Sequence, residues 1–232
     1  MRYERRFPPS LLVHRFLLST PRSKMTHMIR LQPIGRVQRS LVLLAVVLIG
    51  LMALVGVVYI NRSQPIGTPI NPPQVMPDFE LYDQNGTLTH LNHLSGKAVV
   101  MIFGYTHCPD ICPLGLVNFK RIKAALGDRA SQVQFVLVSV DGERDTSAVM
   151  KRYLSTFDLE FIGLTERAFV VAQVAAPYGA RFERKITHTN QTEYAVGHTT
   201  DTYLLDSQGR LLKKYAYTTN PEQMAQDIAR ML

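Results

Sequence analysis

The sequence predicts an α/β domain attached to a membrane by one transmembrane helix. Two observations carry this prediction: an uncharged apolar run occupies residues 41–60, and strand-like and helix-like hydrophobic patterns alternate after residue 77. Strands that alternate with helices form a parallel sheet covered by helices on both faces. Residues 61–77 contain five prolines and are expected to form a linker between the two parts.

The apolar run is long enough to be a membrane anchor. It reads LVLLAVVLIGLMALVGVVYI, twenty residues, and such a helix spans about 30 Å of hydrocarbon. Arg36 and Arg39 precede it and Arg62 follows it. Since the more cationic flank stays in the cytoplasm, residues 62–232 should lie outside. A cleaved signal peptide is the alternative, but the run is longer than a usual signal core and lacks a clear small-x-small cleavage site.

The net charge of +8 comes from the first 40 residues, which contain nine Lys/Arg and one acid. Residues 41–232 contain seventeen of each sign, so no basic face remains for a polyanion, and nucleic acid is excluded as a partner. We interpret residues 1–40 as a basic cytoplasmic leader, in which Met25 or Met28 would serve equally well as the start. The expected location is a bacterial inner membrane with the domain in the periplasm. An Arg-rich leader would also suit the mitochondrial inner membrane, with the domain facing the intermembrane space.

The predicted elements of the folded domain, residues 78–232, follow from hydrophobic spacing and turn residues. In order they are a hairpin over Phe79–His90, a buried strand over Ala98–Tyr105, a helix over Leu114–Leu126, a strand over Val133–Val140, a helix over Ser147–Phe157 capped by Asp145 or Thr146, a strand over Phe161–Leu164, a helix from Thr165 to near Pro177, a hairpin of Thr202–Asp206 with Leu211–Tyr217, and a helix opening at Asn220. Residues 181–196 are polar and irregular. This order predicts a thioredoxin-like fold with an N-terminal hairpin and insertions.

Two cysteines, Cys108 and Cys112, lie between Gly104 and Pro113, directly after the buried strand. In open α/β sheets the carboxyl end of such a strand is where ligands bind. Because proline suits the first helical position, we expect Cys112 at a helix start, where unpaired amides lower the pKa of a thiol and favour the thiolate. The pair could close as a disulfide or open to hold a metal ion.

The number of cysteines narrows the choice of metal. Two thiolates are soft ligands that suit Cu(I), Zn(II) or iron–sulfur clusters. Closed zinc and iron–sulfur sites normally use four protein ligands, and the chain has only two cysteines, so copper is favoured. A structural disulfide between Cys108 and Cys112 is the alternative.

His198 is the best candidate for a third ligand among the seven histidines. It lies just before the strand Thr202–Asp206, in a loop that faces the cysteine loop in this fold. The other histidines have weaker positions: His14 and His27 precede the anchor, His90 and His93 lie near the first hairpin, His107 should point away from its neighbour Cys108, and His188 has no positional argument.

The chain resembles the Sco/SenC family of copper chaperones for cytochrome c oxidase assembly. Four segments carry the resemblance, namely 104–113, VSVDGERDT at 138–146, FIGLT at 161–165, and 196–206. The resemblance implies one copper ion, Cu(I) or Cu(II), bound through Cys108, Cys112 and His198. It implies that the copper is delivered to the dinuclear copper centre of oxidase subunit II, or that the protein prepares the thiols of that centre. Another periplasmic copper chaperone is a further candidate partner.

Two positions near these segments need comment. Gly197 stands where many family members carry an acidic residue, which weakens the case for a carboxylate beside the histidine. The resemblance makes Asp141 a neighbour of the metal loop. A turn-forming Asp before the next helix is an equal alternative.

Three functions fit the cysteine pair. They are a copper chaperone, a copper or redox sensor, and a thiol–disulfide oxidoreductase acting on the cysteines of oxidase subunit II, in which Cys108 attacks and Cys112 resolves the mixed disulfide. Thioredoxin-like reductases usually have two residues between the cysteines and a proline before the later strand. Here three residues intervene, and residues 178–220 contain His198 and no proline. A histidine there serves a metal rather than disulfide exchange, so we rank the chaperone first.

Overall fold

The computed structural model describes residues 35–62, 66–186 and 194–232. Outside them lie residues 1–34 of the leader, the alternative starts Met25 and Met28, and the histidines His14, His27 and His188. The chain divides into two compact units between Asn61 and Arg62.

The first unit contains all but the last residue of helix α1, Arg36–Arg62. Its stretch Arg36–Tyr59 is long and apolar enough to cross a membrane, and its large apolar side chains are exposed. An exposed apolar surface of this size is unfavourable in water and suits contact with lipid. The helix therefore covers the predicted run 41–60 and is a candidate membrane span.

Among its described residues, the second unit contains ten strands and four further α-helices. The strands are β1 Thr68–Val75, β2 Glu80–Asp83, β3 Leu88–His90, β4 Ala98–Gly104, β5 Val133–Ser139, β6 Ile162–Thr165, β7 Phe182–Ile186, β8 Tyr194–His198, β9 Thr202–Leu205 and β10 Arg210–Tyr215. The helices are α2 Ile111–Leu126, α3 Ser147–Leu154, α4 Ala168–Ala175 and α5 Pro221–Ala229.

Eight strands form one mixed sheet in the order β1-β10-β9-β4-β5-β6-β2-β3. Strands β4, β5 and β6 pair in parallel at the centre. The hairpins β2–β3 and β9–β10 pair antiparallel on either side, as the sequence predicted. The carboxyl ends of the parallel strands therefore meet at one edge of the sheet, where the loop with the cysteines begins.

All seven residues of β4 are buried, which explains its uninterrupted apolar sequence AVVMIFG. Because successive side chains of a strand point to opposite faces, alternate residues of β4 pack into two separate hydrophobic clusters. One cluster includes Phe119 of α2 and Ile228 of α5, and the other includes Val171 of α4 and Val196 of β8. Both faces of the sheet are thus covered, and β8 belongs to the face opposite α2.

The linker prediction for residues 61–77 is wrong in part, because residues 68–75 form the edge strand β1. β1 pairs antiparallel with β10, with a break in register between Pro69 and Gln74. Proline has no N–H to donate to a ladder, and it is tolerated on an outermost strand, where one side of the backbone is unpaired. The prolines of this segment therefore indicate an edge strand rather than a tether.

The segment predicted to be irregular, residues 181–196, contains most of a second sheet. β7 and β8 pair antiparallel, with Phe182 opposite His198 and Ile186 opposite Tyr194. In the described part of the chain this ribbon forms no ladder with the eight-stranded sheet. Its position therefore depends on the short connection to β9 and on contacts that involve side chains.

The predicted caps of α3 and α5 are confirmed. Thr146 accepts a hydrogen bond from the backbone N–H of Val149 at the start of α3, and Asn220 caps α5 in the same way. Helix α2 begins at Ile111, so Cys112 lies in its first turn.

Candidate metal centre

Three separate elements bring Cys108, Cys112 and His198 together. Cys108 lies in the loop after β4, Cys112 lies in the first turn of α2, and His198 is the last residue of β8. The Cys112 Sγ and the His198 Nε2 are 3.4 Å apart, and the three donor atoms lie within 4.8 Å of one another. Within the described ranges, no other group of three His, Cys, Asp or Glu side chains converges in this way.

Gly104, the last residue of β4, makes room for the buried thiol. A Cβ atom at this position would lie 2.8 Å from the Cys112 Sγ and 3.1 Å from Leu137 Cδ1. The next residue, Tyr105, donates its backbone N–H to the same sulfur over 3.4 Å. The end of β4 therefore both accommodates Cys112 and fixes its side chain.

A hydrogen bond sets the orientation and tautomer of His198. Its Nδ1 lies 2.9 Å from the carbonyl oxygen of Thr199, so Nδ1–H donates and Nε2 keeps a free lone pair directed toward Cys112. Burial lowers the pKa of His198, although the bond to Thr199 acts in the opposite direction. The ring is therefore neutral near pH 7, which is the form that binds a metal.

The two cysteines differ in environment. Cys108 is half-buried and Cys112 is only 2% exposed. Burial raises the pKa of the Cys112 thiol, and the hydrogen bond from the Tyr105 N–H only partly offsets this effect. The prediction that Cys112 is a ready thiolate is therefore wrong for the metal-free site, because burial disfavours the charged form of the thiol. A bound cation would have to displace the proton.

A fully buried carboxylate, Asp145, holds the cysteine loop. It accepts hydrogen bonds from the backbone N–H of Thr106, from the Thr106 hydroxyl and from the Ser139 hydroxyl. Thr165 also donates its hydroxyl to the Asp145 backbone carbonyl. Sequence reasoning considered Asp145 only as a helix cap, a role that Thr146 fills. In the sequence, Asp145 lies between two polar residues in a loop. Nothing in that pattern indicates a contact with Thr106, which lies 39 residues earlier.

The second acidic residue of this region, Asp141, is also fully buried but contacts none of the three donor residues in the described structure. It accepts hydrogen bonds from Arg144 Nε and, over 2.6 Å, from the Tyr194 hydroxyl. Tyr194 is the first residue of β8, the strand that ends at His198. Asp141 therefore lies near β8 rather than beside the metal donors. Besides its place in a turn, it binds the first residue of that strand.

The remaining described histidines make other contacts. The His107 ring lies 3.6 Å from Asp145 Oδ1, on the loop but outside the donor group. His93 Nδ1 accepts from the His90 backbone N–H, and His90 lies 3.3 Å from Asp78. These two histidines serve a local turn near the first hairpin.

Two sulfurs and one imidazole nitrogen form a donor set that could hold one metal ion. Soft thiolates with an imidazole suit copper, whereas a closed zinc site would normally require a fourth protein ligand. The half-buried Cys108 leaves one side of the set accessible. The arrangement can therefore bind an ion and exchange it with an incoming ligand.

Comparison with known proteins agrees with this geometry. Residues 67–232 match the family model described as SCO1/SenC. An SCO2-like protein of Rickettsia conorii is 30% identical over 195 residues, covering 80% of this chain and 95% of that protein. The mitochondrial SCO2 homolog of Bos taurus is 34% identical over 155 residues, covering 66% of this chain and 58% of that protein.

Solved structures support the same fold. Bradyrhizobium japonicum ScoI with copper bound is 37% identical, with a TM-score of 0.62 over 68% of this chain and 99% of that one. BsSco, described as a member of the Sco family of cytochrome c oxidase assembly proteins with a disulfide switch, is 22% identical, with a TM-score of 0.56 over 73% of this chain and 99% of that one. The predicted thioredoxin-like α/β fold is confirmed by these likenesses.

Proposed function

The chain belongs to the SCO1/SenC family of copper-binding proteins for cytochrome c oxidase assembly, and on that premise we propose that it is a membrane-anchored copper metallochaperone. Its cargo is one copper ion, Cu(I) or Cu(II), held by Cys108, Cys112 and His198. It delivers this ion to the dinuclear copper centre of cytochrome c oxidase subunit II, or prepares the cysteines of that centre. A second periplasmic copper chaperone is the candidate donor.

The observation that carries this proposal is the convergence of three donor atoms within 4.8 Å of one another. The donors come from three different elements, so their meeting is a property of the fold rather than of one local motif. Two soft sulfurs favour Cu(I), and the added imidazole nitrogen extends the set to Cu(II).

The contacts of the three residues suggest how the ion is held and released. The hydrogen bond from His198 Nδ1–H to the Thr199 carbonyl oxygen keeps Nε2 available for the metal. The Tyr105 N–H can still donate to the Cys112 sulfur after the thiol has lost its proton to become a thiolate. Cys108 is the more exposed of the two cysteines. An incoming thiol or imidazole of a partner would therefore replace Cys108 first, and the buried pair would follow.

We place the copper-binding domain outside the membrane. In this proposal residues 1–40 are a cytoplasmic leader, residues 41–60 are a single-pass anchor in a bacterial inner membrane, and the domain lies in the periplasm. Arg36 and Arg39 on one side of the run support this orientation. The mitochondrial inner membrane, with the domain in the intermembrane space, is the lesser alternative.

Copper titration of the full chain in detergent, reduced and anaerobic, tests the site. We expect one copper per chain and strong thiolate-to-Cu(II) absorption. His198→Ala should weaken Cu(II) binding by roughly 100-fold, which is the upper end of the loss in metal affinity when a group that merely orients a ligand is removed. The matched control is His107→Ala. It removes an imidazole from the cysteine loop, but the ring of His107 lies beside Asp145 and is not one of the three donors. Equal binding of both copper states by His198→Ala and the parent would contradict the three-ligand site.

A thiol–disulfide oxidoreductase that reduces the cysteines of subunit II is the second candidate. The difference in exposure favours it: the half-buried Cys108 can attack a partner disulfide, and the buried Cys112 can then resolve the mixed disulfide. The partner gains two thiols while Cys108 and Cys112 become a disulfide. His198→Ala separates the two functions, because it should leave disulfide reduction intact while it weakens copper binding.

A further inference from the structure

The strand that carries His198 is joined to the main sheet at one end, where β9 begins at Thr202, and is held at the other end by side-chain contacts. β8 belongs to a two-stranded ribbon that makes no ladder with the main sheet among the described residues. A two-stranded ribbon alone is marginally stable in water. The connection to β9 holds the end of β8 at His198, so contacts outside the ribbon are needed to fix the rest of the strand. The two cysteines are carried by other elements, the loop after β4 and helix α2.

Tyr194, at the start of β8, makes the densest set of such contacts. Its hydroxyl donates to the buried Asp141 carboxylate over 2.6 Å, and its backbone carbonyl accepts from Arg144 Nη1 over 3.1 Å. The guanidinium of Arg144 lies 3.7 Å from the centroid of the Tyr194 ring, and that of Arg184 lies 4.0 Å from it. Arg144 also donates to Asp141, so the three groups Asp141, Arg144 and Tyr194 are mutually bonded.

The strand transmits this attachment to the metal centre. Residues 194, 196 and 198 share one face of β8, because side chains of a strand alternate. Val196 lies between the ends, is 5% exposed, and donates its backbone N–H to the Tyr105 hydroxyl over 3.2 Å. The Tyr105 ring meets the His198 ring edge-on, with centroids 5.8 Å apart. From Tyr194 to His198 the strand spans roughly 13 Å, all of it against the domain.

We propose that Asp141, Arg144 and Tyr194 are positioning residues for copper, which hold β8 at its first residue and thereby set His198 against the two cysteines. This inference rests on the proposed copper-binding function. The cysteines are carried by the loop after β4 and by α2, so loss of the cluster should act mainly on the imidazole. Its loss should affect Cu(II), which needs the nitrogen ligand, more than Cu(I), for which two thiolates suffice.

Tyr194→Phe is the sharpest test, because it keeps the ring under the two guanidinium groups and removes only the bond to Asp141. We expect Cu(II) affinity to fall roughly tenfold, the lower end of effects for groups that orient a ligand. Thiolate-to-Cu(II) absorption should shift, and Cu(I) affinity should change by less than about twofold. The matched control is Tyr153→Phe, whose buried hydroxyl has no hydrogen-bond partner in the described part of the chain; this variant should bind both copper states like the parent.

A double variant isolates positioning from general stability. In a His198→Ala background, Tyr194→Phe should cause no further loss of Cu(II) affinity, because there is no imidazole left to position. The inference is overturned if Tyr194→Phe binds Cu(II) like the parent, if it weakens Cu(I) and Cu(II) equally, or if its loss persists in full without His198.

Hydrogen exchange of the metal-free protein gives a readout that does not involve copper. In Tyr194→Phe the backbone amides of residues 195–198 should exchange faster than in the parent, by roughly tenfold, while those of β4 and α2 are unchanged. Unchanged exchange would also overturn the inference. If the parent and His198→Ala bind copper alike, the proposed three-ligand site fails. The exchange experiment then still decides whether the cluster holds β8.

Discussion

The carboxylate of Asp145 accepts both the backbone N–H and the hydroxyl of Thr106, over 2.8 Å and 2.5 Å. Thr106 lies two residues before Cys108, and Asp145 lies just before α3. The loop that carries the more exposed thiol is therefore tied to the neighbouring strand-to-helix connection by a charge-assisted pair in the protein interior. This tie lets a loop outside regular structure present Cys108 at a defined position.

Thr106→Val should loosen the cysteine loop. It removes the hydroxyl donor and keeps the backbone N–H, so Asp145 loses one of its partners. We expect a destabilisation of about 1–2 kcal/mol and a severalfold faster release of copper to a competing chelator. Urea unfolding followed by tyrosine fluorescence measures the first effect, since the chain has no tryptophan. Thr218→Val, at an exposed position, is the control and should leave both quantities unchanged.

Gly104→Ala should displace the Cys112 sulfur. Its Cβ would lie 2.8 Å from Cys112 Sγ, which is closer than such atoms approach. We expect a destabilisation of about 1–3 kcal/mol, as for overpacking elsewhere, together with weaker binding of both copper states. Copper titration and urea unfolding check the two parts. Gly115→Ala is a useful comparison, because its Cβ would meet only the end of the Ile102 side chain and alanine favours the helix. A fully parent-like Gly104→Ala would show that the close contact is relaxed in solution.

The two cysteines of the site have a local sequence signature, whereas His198 and the residues that sequence reasoning missed do not. Cys108 and Cys112 follow a buried strand and precede a helix, so the position of this loop could be predicted from hydrophobic pattern alone. His198 required knowledge of the fold and of the resemblance. The bond between Tyr194 and Asp141 joins residues 53 apart through side chains, and no periodicity or spacing marks such a contact.

Two further predictions, the low pKa of Cys112 and the start of helix α4, were wrong because each considered one physical effect and omitted an opposing one. The pKa of Cys112 was predicted to be low from the position of the residue at a helix start, whereas its burial raises that pKa. The helix predicted from Thr165 begins at Ala168, since Thr165 is the last residue of β6. There the residue pairs with Tyr82 of β2, and this tertiary contact decides its structure.

Asp158 should make the stability of the domain dependent on pH at the acid end. Burial alone would raise the pKa of Asp158, but hydrogen bonds from Lys123 Nζ and from the Glu160 backbone N–H outweigh it and lower the pKa below its usual value. A carboxyl with a lowered folded pKa adds stability above its unfolded pKa of about 3.9 and loses it as the pH falls through the folded value.

Asp158→Asn should therefore cost about 1 kcal/mol at pH 7, and the cost should vanish once the pH has fallen through the lowered folded pKa, so that Asp158 is protonated in both states. Unfolding free energies measured at a series of pH values check this. Glu160→Gln is the control, because Glu160 contacts the same Lys123 but its side chain is 79% exposed. A cost for Asp158→Asn that stays constant as the pH falls would show that the ion pair is not its source.

Removal of β1 should destabilise the domain although the segment reads as a linker. Ile66 and Ile70 at its start pack against the two hydrophobic clusters, and residues 68–75 pair with β10. A soluble chain that begins at Met76 would lose these contacts and expose the β10 edge, which favours association between copies. We expect a loss of about 3 kcal/mol relative to a chain that begins at Ile66, from two partly buried isoleucines and several backbone hydrogen bonds. Urea unfolding and sedimentation measure the two consequences. Equal stability of the two chains would mean that the pairing of β1 adds nothing to the fold and that the prolines act as a tether after all.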